Sequence, residues 1–251
     1  MAPPPQPLSP GPSVPSGTGA SELRRADSLV RKGDTPDALE IVLRVLQEDP
    51  ANIAALERLG MIYSTEIPDL EKARHAFKRI LALAPENEFA LRGLSVLVKD
   101  DEESREVSRY YRELLERYPQ SATIADVAAE FFESQGDEEM ASRLLKIAGK
   151  DPQRAYSAHN RLAQIYEKQG KLEDAVLNYR QSIQDLEAHR GEDLSAWEEA
   201  MGRSQLLLAG VLLNTGRMAD AQESLRVARQ YLKDETLFES IEQRIQEESA
   251  E

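Results

Sequence analysis

The segment RVLQEDPAN, residues 44–52, ends a stretch with helical periodicity, and the chain then repeats the same pattern. The pattern returns as RILALAPEN at residues 79–87, as ELLERYPQS at 113–121 and as KIAGKDPQR at 146–154. The four prolines stand at positions 50, 85, 119 and 152, so their spacings are 35, 34 and 33 residues. A period near 34 residues indicates a chain built from repeated units.

A glycine divides most of these units into two helices. The glycines follow one apolar helical stretch and precede the next, at Gly33, Gly136, Gly170 and Gly216. A left-handed φ ends a helix at little cost only where there is no Cβ. Thr35 is predicted to cap the helix after Gly33, with Pro36 at its first position. Helix, short turn and helix, with almost no alternating strand pattern, predict an all-α fold.

Small residues recur after each break, and a larger apolar residue follows each of them four positions later. The small residues are Ala38, Ala73, Ala141, Ala175 and Ala221, and their larger companions are Val42, Phe77, Leu145, Tyr179 and Leu225. One helical turn separates the members of a pair, so both lie on one face. The alanine lets two helix backbones approach closely, and its companion fills the space beside it.

These positions resemble the tetratricopeptide repeat, a helix–turn–helix unit of 34 residues with Leu-Gly, Tyr, Ala, Phe and Pro in this order. The resemblance implies an all-α, right-handed α-solenoid of about six units, at about 20–52, 53–87, 88–121, 122–155, 156–189 and 202–235. The third unit departs from the pattern, with Val107 in place of alanine. After the fifth unit, the wider spacing predicts lengthened helices or an extra turn. The amphipathic segment 235–249, with Leu237, Ile241 and Ile245 four apart, is predicted to be a capping helix.

Composition excludes several classes of protein. The chain of 251 residues has no cysteine, which removes disulfides, thiolate nucleophiles and Cys-based metal sites. Its formal net charge of −14 disfavours binding to nucleic-acid phosphates. No apolar run is long enough to span a membrane, so a cytoplasmic protein without membrane insertion is predicted.

Residues 1–20 are rich in Pro, Ser and Gly and are predicted to be a disordered tail, with residues 21–251 forming the repeat domain. The tail is either a passive leader or a ligand for an aromatic-lined groove.

No pattern in the sequence supports catalysis, a metal or a cofactor. The histidines, His75, His159 and His189, lie in different units without metal-ligand spacing, and no phosphate-binding or nucleophile motif occurs. Paired carboxylates are expected on solvated faces. Trp197, in the irregular insert after the fifth unit, is interpreted as a core residue or a partner contact.

The family resemblance implies a protein-interaction scaffold that binds a peptide or helix in a concave groove lined by the first helix of each unit. Some family members hold the acidic tail of a chaperone with lysine, asparagine and arginine in this groove. The matching positions here include Leu23, Asp27, Arg58, Phe89 and Gly93, so that clamp is missing and a chaperone tail is not expected.

Charged and polar residues on the first helices are the candidate contacts. The set is Asp27, Glu57, Arg92, Asp126, Glu130, Glu133, Asn160, Gln164 and Arg203. Asp126, Glu130 and Glu133 share one stripe of a helix, which predicts either a site for a basic partner segment or a solvated acidic face. The alternatives to a scaffold are an RNA-binding helical-repeat protein, which the net charge disfavours, and an all-helical enzyme.

Overall fold

A computed structural model gives the structure of the protein and describes residues 17–191 and 193–249. These residues form thirteen α-helices, one π-helical turn and one 3₁₀ turn, and they contain no β-strand. The predicted all-α class is confirmed. The first helix begins at Gly17, inside the predicted tail 1–20, and the rest of that prediction lies outside the described residues.

The chain divides into two compact units, one ending at Leu97 and the other beginning at Val98. This division falls inside the third predicted repeat, 88–121. The N-terminal unit contains α1 (Gly17–Lys32), α2 (Thr35–Glu48), α3 (Ile53–Met61), the π-helical turn Ile62–Glu66, α4 (Leu70–Leu83) and α5 (Glu88–Val96). In it, α1 packs against α2 and α3 packs against α4, while α2–α3 and α4–α5 contacts join successive hairpins.

The C-terminal unit repeats this arrangement with longer helices. It contains α6 (Asp101–Arg117), α7 (Ala122–Ser134), α8 (Glu138–Ala148), α9 (Ala155–Lys168), α10 (Leu172–Ala188), α11 (Leu194–Asn214), α12 (Met218–Tyr231), the 3₁₀ turn Glu235–Leu237 and α13 (Glu239–Ser249). The hairpins are α7–α8, α9–α10 and α11–α12. Helices α10 and α11 have 17 and 21 residues, so the irregular spacing after the fifth unit is taken up by longer helices.

Three of the four recurring proline segments end one helix and cap the next with a side chain, and the fourth has no such cap at Arg154. Two residues after Pro50, Pro85 and Pro119, the side chains of Asn52, Asn87 and Ser121 accept hydrogen bonds from N–H groups of the following helix. These caps satisfy N–H groups that have no partner inside the helix. The 34-residue period is therefore the period of a helix stop followed by a helix start.

The turns inside the repeats follow the glycine prediction. Gly33 has a φ of +84°, and Gly136, Gly170 and Gly216 have φ values between +71° and +75°. One detail of the first turn was wrong. Asp34 is the N-cap of α2, and Thr35 is already helical, because the turn closes one residue earlier than the sequence suggests.

The predicted small-residue contacts are buried as expected. All five alanines have no exposed surface, and their larger companions are at most 7% exposed. In the N-terminal unit the ring of Phe77 lies between Gly60 of α3 and Gly93 of α5. A Cβ at Gly60 would lie 2.4 Å from Phe77 Cε1, and one at Gly93 would lie 2.7 Å from Phe77 Cε2. Both glycines are therefore required by packing.

The C-terminal cap packs differently from the prediction. Phe238 is fully buried, whereas Leu237 is 38% exposed, so Leu237 is not part of the apolar seam. The 3₁₀ turn Glu235–Leu237 delays the start of α13 and rotates Phe238 inward, because a 3₁₀ turn has three residues where the α-helix has 3.6. Ile241 and Ile245 pack against the core as predicted.

Candidate interaction surfaces

The C-terminal unit has an open recess of about 480 Å³ between α9 and α11, the first helices of two successive hairpins. We call it the α9–α11 recess, and its lining includes Tyr156, Asn160, Gln164, Arg203, Ser204, Leu206, Leu207 and Leu237. The sequence-predicted residues Asn160, Gln164 and Arg203 are thus brought together in one site. The other residues that line the recess were not predicted. Leu237 reaches it from the 3₁₀ turn, a contact that no helical periodicity reveals.

The polar side of this recess is held in place by hydrogen bonds between side chains. The Gln164 amide donates to Asn160 Oδ1 at 2.8 Å, and Asn160 Nδ2 donates to Ser204 Oγ at 3.0 Å. These two hydrogen bonds in series join α9 to α11 across the recess. Arg203 pairs with Glu199 at 2.7 Å on its exposed rim. A site with fixed amide and hydroxyl groups and few unpaired charges is suited to peptide groups, which need donors and acceptors in known places.

The acidic stripe of α7 is engaged by arginines of the same unit. Asp126, only 7% exposed, accepts hydrogen bonds from Arg161 at 2.7 Å and from Arg154 at 3.0 Å. Arg161 also donates to Glu133 at 3.1 Å, and its guanidinium lies 3.8 Å from Glu130. The stripe is therefore neither a set of unpaired carboxylates nor a purely solvated face. It joins α7 to α9 through Arg161.

The N-terminal unit has a second recess, of about 520 Å³, between α1 and α3. Asp27 and Glu57 both line it, and both have partners within the protein. Arg58 donates two hydrogen bonds of 2.8 Å to Asp27, and the Asn87 amide donates to Glu57 at 3.1 Å. Arg92 lies exposed on α5 of this unit and does not line the recess.

The sequence does contain a signal for the ion-pair partners that were not predicted. Arg58 follows Asp27 by 31 residues, and Arg161 follows Glu133 by 28. Each arginine therefore lies about one repeat after the carboxylate that it binds. In stacked repeats, equivalent positions of neighbouring first helices lie side by side. An acid and a base separated by one period predict a contact between repeats.

In the described parts of the chain, no three His, Asp or Glu side chains lie close enough to hold a metal ion. Burial, reinforced by the nearby Glu167 carboxylate, raises the pKa of Tyr179 well above its ordinary value of 10.0. The Tyr179 hydroxyl donates to Glu167 at 3.1 Å inside the packed α9–α10 hairpin, so this shift belongs to the core. Trp197 donates its indole N–H to the Leu186 carbonyl at 2.7 Å.

Comparison with known proteins agrees with this architecture. Two family models, each described as a tetratricopeptide repeat, match residues 23–88 and 156–184. Both matches support a tetratricopeptide repeat protein. These proteins bind other proteins or peptides, and their fold is generally a non-enzymatic scaffold. Within residues 17–191 and 193–249, every helix is too short or too polar to cross a lipid bilayer.

Among curated proteins, the Protein CTR9 homolog of Arabidopsis thaliana is 29% identical over 171 residues. The match covers 65% of this chain but only 16% of that protein. Among solved structures, BtubC of P. vanneervenii has a TM-score of 0.59 at 17% identity, covering 86% of this chain and 91% of its own. YrrB, a TPR protein with an unusual peptide-binding site, has a TM-score of 0.54 at 13% identity, with coverages of 80% and 97%. At these identities the structural likeness shows the fold alone.

Proposed function

We propose that this protein is a non-enzymatic scaffold that binds a peptide segment of a partner protein in the α9–α11 recess. The observation that carries the proposal is the hydrogen-bonded chain Gln164–Asn160–Ser204 beside an apolar wall. The amides orient a bound main chain, and Leu207 and Leu237 accept an apolar side chain of the ligand. The peptide-binding site named for YrrB supports this class of ligand for a neighbour of the same fold.

The expected charge of the partner segment follows from the charged side chains of the recess, which are already paired within the protein. Arg161 is held by Asp126 and Glu133, and Arg203 by Glu199, so the recess is nearly balanced in charge. We therefore propose a segment with a central apolar residue and uncharged neighbours. The basic partner segment suggested by the acidic stripe stays a prediction, and a ligand using Asp126 would have to displace two arginines. The six repeat boundaries, cytoplasmic localisation and lack of nucleic-acid binding also stay predictions.

The proposal is tested with a random peptide library displayed on phage and selected on the immobilised full chain. Peptides selected on the wild type should bind at least tenfold more weakly to Gln164→Ala and to Leu237→Ser, since both exposed side chains line the recess. Leu177→Ser is the matched control, because Leu177 is 63% exposed on α10 and does not line the recess. Selected peptides that bind all three variants like the wild type would show that recognition lies elsewhere.

A further inference from the structure

The segment that joins α12 to α13, residues 232–238, forms part of the wall of the α9–α11 recess. Its first residue, Leu232, is buried against Gly202 of α11, where an added Cβ would lie 2.6 Å from Leu232 Cγ. Its 3₁₀ turn brings Leu237, 38% exposed, to the recess, and the next residue, Phe238, has no exposed surface. Two consecutive side chains therefore face in different directions, Leu237 toward the recess and Phe238 toward the core.

Phe238 anchors this segment behind the recess. It belongs to a buried apolar cluster together with Ala209, Leu225, Ala228 and Leu232. Leu206, which lines the recess, packs against the same cluster, as do Ile241 and Ile245 of α13. The position of Leu237 in the recess therefore depends on a core that α13 helps to form.

Arg229 of α12 connects the 3₁₀ turn to α13. Its guanidinium pairs with Glu235 of the turn at 3.2 Å and also with Glu242 of α13. The same guanidinium lies over the Phe238 ring, 5.0 Å from its centre. One side chain thus contacts the turn that carries Leu237, the buried anchor and the helix that follows.

We propose that docking of α13 controls peptide binding in the α9–α11 recess, an inference that rests on the function proposed above. Phe238 and Arg229 are positioning residues, because they act on the ligand only through Leu237. A terminal helix of a repeat array has neighbours on one side alone, so it opens more readily than an internal helix. When α13 opens, Phe238 leaves its cluster, Leu237 moves away with it, and the recess loses part of its apolar wall.

Peptide binding and docking of α13 are linked in both directions. If opening of α13 weakens the peptide by a given factor, bound peptide must favour docked α13 by the same factor. A partner that captures the apolar face of α13 would therefore release a peptide from the recess. The C-terminal helix acts in this way as a regulator of the site as well as a cap of the array.

The test measures, by anisotropy, the affinity of a fluorescein-labelled peptide that was selected on the full chain and depends on Gln164. Phe238→Ala should weaken binding at least tenfold. Phe238→Leu, which refills most of the buried site, should restore the affinity to within threefold of the wild type. Leu145→Ala is the matched control, because Leu145 is fully buried in α8 and does not line the recess, so its loss should leave the affinity unchanged.

A milder variant keeps the core intact, so the test does not depend on the folding of Phe238→Ala. Arg229→Gln should weaken the peptide at least threefold. Arg226→Gln should bind like the wild type, because Arg226 lies on the same helix but pairs with Glu223 of that helix. Hydrogen exchange gives the reciprocal measurement: saturating peptide should slow the exchange of α13 amides at least fivefold, which a merely structural role of Phe238 would not cause.

The failure of this inference can be told apart from the failure of the proposed function. If no selected peptide depends on Gln164 or Leu237, the proposed function is wrong and the inference falls with it. If such peptides leave the exchange of α13 unchanged, or bind Arg229→Gln and Arg226→Gln equally well, the recess is a peptide site that α13 does not control.

Discussion

The two glycines that enclose Phe77 allow a sharp test of the packing. A Cβ at Gly60 would lie 2.4 Å from the Phe77 ring, about 1 Å inside the ordinary contact distance of about 3.4 Å, and one at Gly93 would lie about 0.7 Å inside it. The ring is 2% exposed and is enclosed on both sides, so it cannot move away from one glycine without approaching the other. Overpacking of this kind costs about 1–3 kcal/mol.

The helix propensity of alanine acts in the opposite direction. Gly→Ala inside a helix normally stabilises by about 0.5–1 kcal/mol. We therefore expect Gly60→Ala and Gly93→Ala each to lower the free energy of unfolding by a net amount of about 1–2 kcal/mol. Gly210→Ala is the control, because Gly210 lies in α11 and its added Cβ would meet only Ile241 Cδ1 at 4.0 Å. It should raise the free energy of unfolding slightly.

The assay is urea denaturation followed by far-ultraviolet circular dichroism, with hydrogen exchange of peptides from α3, α4 and α5. Hydrogen exchange is needed because stacked repeats need not unfold as one cooperative unit. Phe77→Leu should relieve the overlap, so the double variant with Gly60→Ala should be more stable than the sum of the single effects by about 1 kcal/mol. If Gly60→Ala and Gly210→Ala change stability alike, the close contact does not exist.

Three further predictions concern the C-terminal unit. Ala221→Leu should overpack the α11–α12 contact and cost about 1–3 kcal/mol, seen as a lower melting temperature, and an unchanged value would contradict the repeat register. Phe238→Ala should cost about 3–5 kcal/mol, whereas Leu237→Ala, at an exposed neighbour, should cost far less. The pKa of Tyr179 is raised in the folded state, so the contribution of its neutral hydroxyl to the free energy of unfolding is complete below the unfolded pKa of about 10. This contribution is lost as pH rises through the folded pKa. Tyr179→Phe should therefore flatten the fall in stability measured by denaturation above pH 10, and an equal slope would refute this.

The repeat architecture could be predicted from the sequence because its signals are local and periodic. Each turn glycine and each buried alanine is constrained by backbone geometry within its own hairpin, so residue type and spacing identify it. The Asn52 and Asn87 caps were not predicted, although they too depend only on residue type and on the distance from the preceding proline. Nothing in these inferences depends on the conformation of a distant side chain.

The candidate site was only partly predictable, because its character depends on contacts between hairpins. Glu133 was expected either to meet a basic partner segment or to lie on a solvated face, and in the structure it pairs with Arg161 of the next hairpin. Leu237 lies in the α9–α11 recess because a 3₁₀ turn replaces the expected start of the capping helix. The π-helical turn at residues 62–66 likewise has no clear sequence signal. In each case the outcome depends on the geometry of a neighbouring element.

The ion pairs between successive hairpins restrict how such an array can evolve. The hydrophobic stacking surfaces are alike from repeat to repeat, so unequal recombination that deletes or exchanges one repeat would preserve them. The charged contacts are not alike, since Asp126 meets its partner Arg161 in the repeat that follows, as Asp27 meets Arg58. A rearranged array would leave the nearly buried Asp126 with Arg154 but without Arg161, and the loss of one partner of a buried carboxylate lowers stability. Neighbouring repeats of this chain are therefore matched in charge, and a rearrangement that copies an acidic residue together with the repeat carrying its arginine keeps both contacts.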